Sequence, residues 1–222
     1  MCDFYVCITT ISGYKTALYN LLDSMPKEWK NKYILVFQNE PDEGITIFED
    51  GHFEVHIKHN LHDYGNWFGV HKLLEQELVP KNACFLFVHD TCKFGEKSYS
   101  FTSHISNVFM KESDYEILWL CSNGQCNICL IKESAIEYGY NIYKDIYSMT
   151  KMQTIDWEWD HYNKYSPKSF ELKHYYIPID NIKTGKRKVY SDVERTVLYY
   201  PSIDMEKYYV DIKKESDHPK SP

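Results

Sequence analysis

The stretch that most constrains the fold is Ala83–Gly95, which reads ACFLFVHDTCKFG. Six of its first seven residues are apolar or aromatic, and the seventh, His89, is followed by Asp90 and Thr91. A short apolar run that ends at polar and turn-forming residues predicts a strand buried on both faces, as found inside a parallel sheet. Ligands of open α/β sheets bind just beyond the carboxyl ends of such strands. Asp90 is therefore a candidate for holding a metal or a ligand hydroxyl, although Asp and Thr also favour turns.

The preceding residues predict the rest of a parallel sheet. Apolar runs at Phe4–Ile11 and Tyr33–Gln38 predict strands, and helical spacing of apolar residues predicts a helix over Lys15–Leu22 between them. A third, alternating strand is predicted at Phe53–Lys58, followed by a helix over Gly65–Leu78. Strand–helix–strand order indicates parallel pairing. We therefore expect a single α/β domain with a Rossmann-like, mostly parallel central sheet flanked by helices.

Beyond the central strand the pattern continues more weakly. It predicts a helix at Phe101–Met110, strands at Ile117–Cys121 and Asn127–Ile131, and a short helix from Ser134 to Tyr138. From about Tyr140 tyrosines and tryptophans mix with acids and lysines, and the periodicity is lost. We expect residues 1–131 to form the ligand-binding part, residues 132–212 a substrate-facing part of the same domain, and residues 213–222 a disordered tail. A loosely packed cover is the alternative for the region after Tyr140.

Composition limits the possible partners. The net charge of −7 argues against nucleic acid as the main partner. The chain has only two arginines, Arg187 and Arg195, so a bound phosphate would depend on lysines, backbone N–H groups or a metal. Seven cysteines without framework spacing, no leader sequence and no apolar run of transmembrane length predict a soluble protein with free thiols in the cytoplasm.

Polar residues that follow the predicted strands are the first candidate ligand contacts. Thr9 and Thr10 end the first strand, Asn39 follows the second, and Asn60, Tyr64 and Asn66 lie between the third strand and the next helix. Amide side chains and helix N-terminal N–H groups suit hydroxyl and phosphate recognition. An ordinary helix N-cap is an equally good interpretation of the last group.

An acidic and aromatic stretch, Asp156-Trp-Glu-Trp-Asp160, is the second candidate. Carboxylates among aromatic rings are typical of sugar-binding surfaces, and a partly desolvated carboxylate is a better general base. The alternative is a solvated acidic turn anchored by two buried tryptophans.

Other clusters carry weaker indications. His52, His56, His59 and His62 are close in sequence, but strand geometry sends His56 and His59 to opposite faces, which favours surface histidines over a metal site. Cys126 and Cys129 lack a second close pair, which argues against zinc. The His89-Asp90 pair also occurs in metal-dependent phosphohydrolases, but the preceding strand does not match their helical setting.

With these motifs in order, residues Phe4 to about Ile131 resemble nucleotide-sugar glycosyltransferases of the GT-A fold, in a compact form like those of large DNA viruses and some bacteria. The resemblance places the nucleotide at the first strand end, Thr9 to Gly13. It places the base and ribose near Asn60, Tyr64 and Asn66, and the metal motif at His89-Asp90-Thr91. The segment from Asn123 to Ile131 is similar to the region beside the donor sugar.

The resemblance implies a hexosyl- or deoxyhexosyltransferase that uses a UDP- or GDP-sugar, a glycan or protein-linked acceptor, and Mn²⁺ or Mg²⁺. Asp90 would bind the metal, with His89 or a later residue such as His174 completing its shell, because the usual second carboxylate is absent. Asp156 or Glu158 would act as the base of an inverting enzyme. A metal-independent enzyme, an inactive relative, a non-catalytic carbohydrate- or nucleotide-binding module and a metal-dependent phosphohydrolase remain open alternatives.

Overall fold

The structure is a computed structural model, and it describes residues 3–11, 15–120, 128–162, 174–177, 183–188 and 194–208. The strands are β1 Phe4–Ile11, β2 Tyr33–Gln38, β3 Gly44–Ile47, β4 Phe53–His56, β5 Cys84–His89, β6 Cys92–Phe94, β7 Ile117–Trp119, β8 Cys129–Lys132, β9 His174–Tyr176, β10 Lys183–Lys188, β11 Glu194–Tyr200 and β12 Met205–Tyr208. The helices are α1 Lys15–Ser24, α2 Gly65–Glu75, α3 Ser98–Glu112, α4 Glu133–Tyr143 and α5 Lys151–Tyr162, with short 3₁₀-helices at Lys27–Trp29 and His62–Tyr64.

The central sheet has eight strands in the order β3-β4-β2-β1-β5-β8-β7-β9. Its middle strands, β4, β2, β1 and β5, are parallel to one another, whereas β3 pairs antiparallel with β4 and β8 pairs antiparallel with both β5 and β7. Strand β9 returns to parallel pairing beside β7. The prediction of a single compact α/β domain is confirmed. The sheet is mixed, however, because four of its seven strand pairs are parallel and three are antiparallel.

Burial explains why the apolar runs form the middle of this sheet. Every residue of β5 is buried, as expected for a strand covered on both faces. Helix α2 lies over β1 and β2 and packs against α4. Close approach is possible because Gly69 of α2 lies directly over the Val36 side chain, where a Cβ atom would collide. The hydrophobic core therefore fixes α2 at the carboxyl ends of the parallel strands.

A second sheet, in the order β10-β11-β12-β6, was not expected from the sequence. Its strands are antiparallel and rich in lysine, glutamate and tyrosine, and the one continuous apolar stretch among them is the short run Val197 to Tyr200 in β11. Strand β6 follows β5 after only Asp90 and Thr91, and it pairs with β12 from the far end of the chain. Residues 205–208 therefore lie beside the end of the central strand.

The histidines predicted to be on the surface are largely packed against aromatic rings. His52 is 8% exposed, and its ring stacks on Tyr33 and Phe48 at centroid distances of 4.5 and 4.2 Å. His56 stacks on Phe37 at 5.0 Å. Packing against aromatic rings therefore accounts for the positions of His52 and His56.

Several sequence features fall outside the described residues or on buried strands. Residues 12–14 and 121–127 and the tail 213–222 are not described, so the turn Asn123–Gln125 is not placed. Among the described cysteines, Cys7, Cys84, Cys92 and Cys129 are buried free thiols. None of the helices that the structure describes is both long and apolar enough to cross a bilayer.

Candidate functional site

The candidate site lies where β1, β2 and β5 end side by side. Thr9 of β1 is the register partner of His89 of β5, and Ile11 is the partner of Gln38 of β2. The pairing continues past β5, since the Asp90 N–H donates to the Thr9 carbonyl at 3.3 Å. Parallel pairing brings the carboxyl ends of these strands to one edge, which is the usual ligand-binding edge of an open α/β sheet.

Asp90 is bound to the neighbouring strand through its side chain. The Thr10 hydroxyl donates to Asp90 Oδ2 at 2.8 Å, although the two residues are 80 positions apart. Thr9 and Thr10 are consecutive in a strand and therefore face opposite sides of the sheet. The predicted neighbours Thr10 and Asp90 are thus brought together, and Thr9 belongs to a different group of contacts.

On the Thr9 side lies a buried ion pair that the sequence did not indicate. Asp63, from the 3₁₀-helix before α2, approaches His89 Nδ1 through Oδ1 at 2.6 Å, and the two side chains are 10% and 7% exposed. Lys151, at the start of α5, places Nζ 3.4 Å from Asp63 Oδ2. We call Asp63, His89, Asp90 and Lys151 the charged cluster.

The two carboxylates of the charged cluster have opposite pKa shifts. Burial raises the pKa of Asp90 to about 7, with the negative charge of Asp63 adding to the effect and the Thr10 hydrogen bond opposing it. Burial alone would raise the pKa of Asp63 too, but the charges of His89 and Lys151 outweigh it and hold that pKa well below its usual range. Carboxylates with pKa values pushed apart in this way are typical of functional sites.

Beside the charged cluster is a set of neutral hydrogen bonds, here called the amide network. The Gln38 amide nitrogen donates to Thr9 Oγ1 and to the His62 carbonyl, both at 2.6 Å, and its oxygen accepts the Leu61 N–H at 2.7 Å. Thr9 also donates to the His62 carbonyl at 3.1 Å. A Cβ atom at Gly65 would overlap the Gln38 amide, so a larger residue here would displace that side chain from its hydrogen bonds. The amide network holds the 3₁₀-helix, and with it Asp63, against β1 and β2.

Asn66 and Tyr64, two predicted ligand contacts, belong to the protein interior. Asn66 is 1% exposed, and its amide nitrogen lies within hydrogen-bonding distance of the Cys7 and Val88 carbonyls, at 3.2 and 3.3 Å. Tyr64 is 6% exposed and packs against Tyr143 with tilted rings, 4.7 Å between centroids. Neither residue provides a side-chain cap for α2, so the N-cap alternative does not describe them either. Both hold the start of α2 against its surroundings.

The other predicted contacts are at the rim. Asn39 is exposed and has φ of 59°, a left-handed conformation that Asn tolerates better than most residues. Asn60 is paired through its backbone with the segment before α5, donating to the Tyr147 carbonyl and accepting from the Met149 N–H, each at 2.9 Å. The Thr91 carbonyl accepts the Tyr208 N–H at 2.8 Å. The backbone contacts of Asn60 and Thr91 therefore hold the segment before α5 and strand β12 near this edge of the sheet.

His174 is not brought to Asp90. It lies in β9, three strands from β5, and its row in the sheet runs through Ile117 and Ile131 to Phe85. Three strand spacings amount to about 14 Å, and the five residues from Phe85 to Asp90 add about 16 Å along the strand. A single metal ion cannot reach both backbone positions, so His174 does not complete a shell around Asp90.

Asp156 and Glu158 lie in helix α5, where a turn was the alternative expectation. The helix begins with a capping box that the sequence analysis missed: the Gln153 N–H donates to Thr150 Oγ1 at 3.2 Å, and the Thr150 N–H donates to Gln153 Oε1 at 2.8 Å. Asp156 is exposed. Helix α5 starts at the charged cluster through Lys151, which connects the acidic stretch to the site.

A divalent cation is compatible with part of this arrangement. Mg²⁺ typically binds one or two protein carboxylates and takes its other ligands from substrate phosphates and water. Burial and the negative charge of Asp63 raise the pKa of Asp90. A cation beside the Asp90 carboxylate would therefore be favourable. Within the described residues no group of three His, Cys, Asp or Glu side chains is close enough to hold a metal. A cation would therefore rely on Asp90 together with phosphate oxygens.

Asp63, Gln38 and Lys151 are the main site residues that sequence reasoning missed. Gln38 and Asp63 each follow or end a predicted strand, as Asn39 and Asn60 do, so the same positional argument applies to them. Lys151 carries no such signal. Its position became apparent only from the fold, because α5 returns to the sheet edge through the pairing of Asn60 with the segment before the helix.

Comparison of the chain with models of protein families and with curated proteins found no match. The geometry of the site is therefore the basis for a functional conclusion.

Proposed function

We propose that the protein is a glycosyltransferase of the GT-A type that moves a sugar from a UDP- or GDP-sugar to a glycan or protein-linked acceptor. The observation that carries the proposal is the Thr10–Asp90 pair at the common edge of parallel strands, next to a second acid, Asp63. This edge is the position at which α/β sheets bind nucleotides. The resemblance of residues Phe4 to about Ile131 to such enzymes supports the same conclusion.

In this proposal the charged cluster contacts the donor diphosphate. A bound Mn²⁺ or Mg²⁺, held by Asp90, would neutralise charge on the departing diphosphate. Lys151 is 40% exposed and can turn its ammonium group from Asp63 to a phosphate oxygen. The amide network holds the 3₁₀-helix that carries Asp63 against β1 and β2. Asp63 in turn orients the His89 ring. Thr10 keeps the Asp90 carboxylate in place through its hydrogen bond.

The acceptor would approach along α5. Glu158 is seven residues, or about two turns, beyond Lys151, so the two positions share one face of the helix. Asp156 is five residues beyond Lys151 and lies about 140° around the helix, on the exposed side. If the enzyme inverts configuration, Glu158 is therefore the better candidate for the base that deprotonates the acceptor hydroxyl. Asp156 then belongs to the acceptor surface.

The test is donor binding followed by turnover. Melting temperatures are measured with UDP- and GDP-sugars, with and without Mn²⁺, since a ligand that binds only the native state raises the melting temperature. Asp90→Ala is expected to abolish the Mn²⁺-dependent rise while keeping the cooperative transition. Asp114→Ala is the matched control, because Asp114 is exposed just after α3. Equal Mn²⁺-dependent binding and transfer by both variants would show that Asp90 is only a turn residue.

The Asp63–His89 contact favours a second candidate, a phosphohydrolase. A carboxylate that orients a histidine can support general-base activation of water. This candidate predicts that free nucleotides are cleaved faster than nucleotide sugars, and that Asp63→Asn reduces this cleavage. Phosphate release from nucleoside diphosphates, compared with nucleotide release from nucleotide sugars, distinguishes the two functions.

A further inference from the structure

Lys207 of β12 lies on a face of the second sheet where its neighbours are buried and apolar. It is the register partner of Cys92 in β6, and opposite residues of an antiparallel pair share a face. Two residues along the same strands, Met205 pairs with Phe94 on that face. These three neighbours are at most 4% exposed. Lysine seldom occupies such a face unless a nearby charge compensates it, so the position of Lys207 requires an explanation.

Strand pairing brings Lys207 to the charged cluster. Only Thr91 separates Asp90 from the start of β6. The Tyr208 N–H donates to the Thr91 carbonyl at 2.8 Å, so the residue after Lys207 is bonded to the residue after Asp90. The end of β12 that carries Lys207 therefore lies beside the carboxyl end of β5.

The charge of Lys207 acts on the acids of the cluster. Burial alone would raise the pKa of Asp63, and the positive charge of Lys207 is among those that lower it. Burial raises the pKa of the Cys92 thiol to about 12, with Lys207 opposing this rise and the two acids of the cluster adding to it. The ammonium group of Lys207 is therefore on the side of the sheet at which the cluster lies.

Two lysines from different elements thus act on the same carboxylate. Lys151, at the start of α5, places Nζ 3.4 Å from Asp63 Oδ2, and Lys207 comes from β12. Both lysines are only partly buried and have flexible stems, so each ammonium group can turn to a ligand at the sheet edge. Asp63 is 10% exposed and contacts His89, so it remains behind them as a buried counter-charge. The edge at which open α/β sheets bind ligands has these two cations within reach.

We propose that Lys151 and Lys207 together bind a phosphate or diphosphate group at the carboxyl edge of the central sheet, without requiring a divalent cation. Each ammonium group offers three donors and binds phosphate as a point charge, which suits a chain with only two arginines. The identity of the anion, the diphosphate of a nucleotide sugar, rests on the proposed function. A metal on Asp90 would add positive charge to a site that already has its own.

The experiment is calorimetric titration of the full chain with pyrophosphate in EDTA, which removes divalent cations. Lys151→Gln and Lys207→Gln are each expected to weaken binding at least about tenfold, because hydrogen bonds between charged groups are the strong ones. Lys93→Gln is the matched control. Lys93 is an exposed lysine in the next row of the same strand pair, where it faces Glu206. Its side chain lies on the opposite face, so the Kd should stay within about twofold of wild type.

Lys207→Met separates binding from a purely structural role. Methionine matches the apolar neighbours of Lys207, so this variant should unfold cooperatively and still bind pyrophosphate at least about tenfold more weakly than wild type. Lys207→Arg keeps the charge and should restore most of the affinity. If Lys207 only compensates Asp63, the methionine variant will have a lower melting temperature and an unchanged Kd. The two-lysine site is refuted by that result, by a wild-type protein that does not bind pyrophosphate in EDTA, or by an equal loss in Lys93→Gln.

Two further probes identify the source of the phosphate and separate the lysine site from the proposed function. Weaker UDP or GDP binding by Lys207→Met in EDTA assigns the site to the nucleotide. Weaker glucose 1-phosphate binding, without nucleotide binding, keeps the lysine site and contradicts the proposed donor. If sugar transfer is found and Lys207→Met binds pyrophosphate as wild type does, only the lysine site fails. If no transfer is found and pyrophosphate binding requires both lysines, only the proposed function fails.

Discussion

The amide network and the charged cluster occupy the same edge of the sheet, but they differ in how completely their polar groups are compensated. In the amide network, the Gln38 side chain uses both its donor and its acceptor in short hydrogen bonds, and it is 2% exposed. In the charged cluster, Asp90 keeps a raised pKa although Thr10 donates to it. Satisfied neutral groups build a rigid edge, whereas an incompletely compensated carboxylate is available to a ligand.

This difference separates candidates that look alike in sequence. Asn66 and Asp90 both follow predicted strands or begin helices and both suit ligand binding by residue type. Asn66 uses its amide nitrogen on strand carbonyls and is inaccessible, whereas Asp90 is half-buried at the rim. Polar residues at the ligand-binding edge therefore divide into those that hold α2 in place and those that can contact a substrate.

The largest effect on stability is expected for Asp63→Asn. The substitution leaves His89 and Lys151 without their carboxylate, and breaking a buried pair typically costs about 3–5 kcal/mol. Lys151 is 40% exposed, so we expect a loss at or below the lower end of that range, about 2–3 kcal/mol at pH 7. Urea unfolding measures this loss.

The pH dependence provides a second check of the same substitution. The folded-state pKa of Asp63 lies below its unfolded value, so its contribution is present above about pH 4 and is lost as the pH falls through the folded-state pKa. The difference between wild type and Asp63→Asn should therefore shrink in acid. Asp114→Asn, at an exposed acid, is the control, and a constant difference from pH 3 to 7 would contradict the assignment.

Gln38→Ala tests whether the amide network is structural. It leaves the buried Leu61 N–H and Thr9 hydroxyl without an amide partner, and buried unsatisfied groups cost about 1–3 kcal/mol each before relaxation. We expect a loss of about 2 kcal/mol in the free energy of unfolding. Gln76→Ala, at an exposed glutamine after α2, should change stability by less than about 0.5 kcal/mol. Equal losses of unfolding free energy in Gln38→Ala and Gln76→Ala would show that the amide network contributes no more to stability than an exposed side chain does.

Asp90→Asn tests the charged cluster in the opposite direction. The folded-state pKa of about 7 exceeds the unfolded value, so the contribution of Asp90 is fully present below about pH 4 and is lost as the pH rises through about 7. Asparagine does not ionise, so the variant does not lose stability as the pH rises, and its side-chain oxygen can still accept the hydrogen bond from the Thr10 hydroxyl. At pH 8 the variant should be more stable by about 1–2 kcal/mol, after allowance for partial exposure. Unfolding free energies from pH 4 to 8 check this, and parallel profiles for wild type and variant would refute it.

Thr10→Val should have the smallest effect on stability, about 1 kcal/mol. The Thr10 hydrogen bond favours the ionised form of Asp90, so its removal should raise the Asp90 pKa above about 7. NMR titration of the Asp90 carboxyl carbon measures the change. Thr46→Val in the exposed edge strand β3 is the control, and an unchanged Asp90 pKa in Thr10→Val would show that this hydrogen bond does not matter in solution.

Much of the central sheet could be predicted from the sequence because its signals are local. The runs FYVCITTI and YILVFQ coincide with β1 and β2, and the run before His89 coincides with β5. Continuous apolar runs mark strands buried on both faces without reference to their partners. In the second sheet only the short run VLYY of β11 carries such a signal, whereas KTGKRK forms a strand only by pairing with β11. The weak periodicity after Tyr140 concealed α5, although its capping box was readable from Thr150 and Gln153.

By itself, the sequence determined that Asp90 ends a buried strand and that arginine is scarce, because burial patterns and composition are properties of the chain. The tertiary structure alone decided which residues meet: Thr10 with Asp90 across 80 positions, and Asp63 with His89. It also decided that His174 stays three strands away. Strand order and register set these contacts, and both arise from packing of the whole chain rather than from any local pattern.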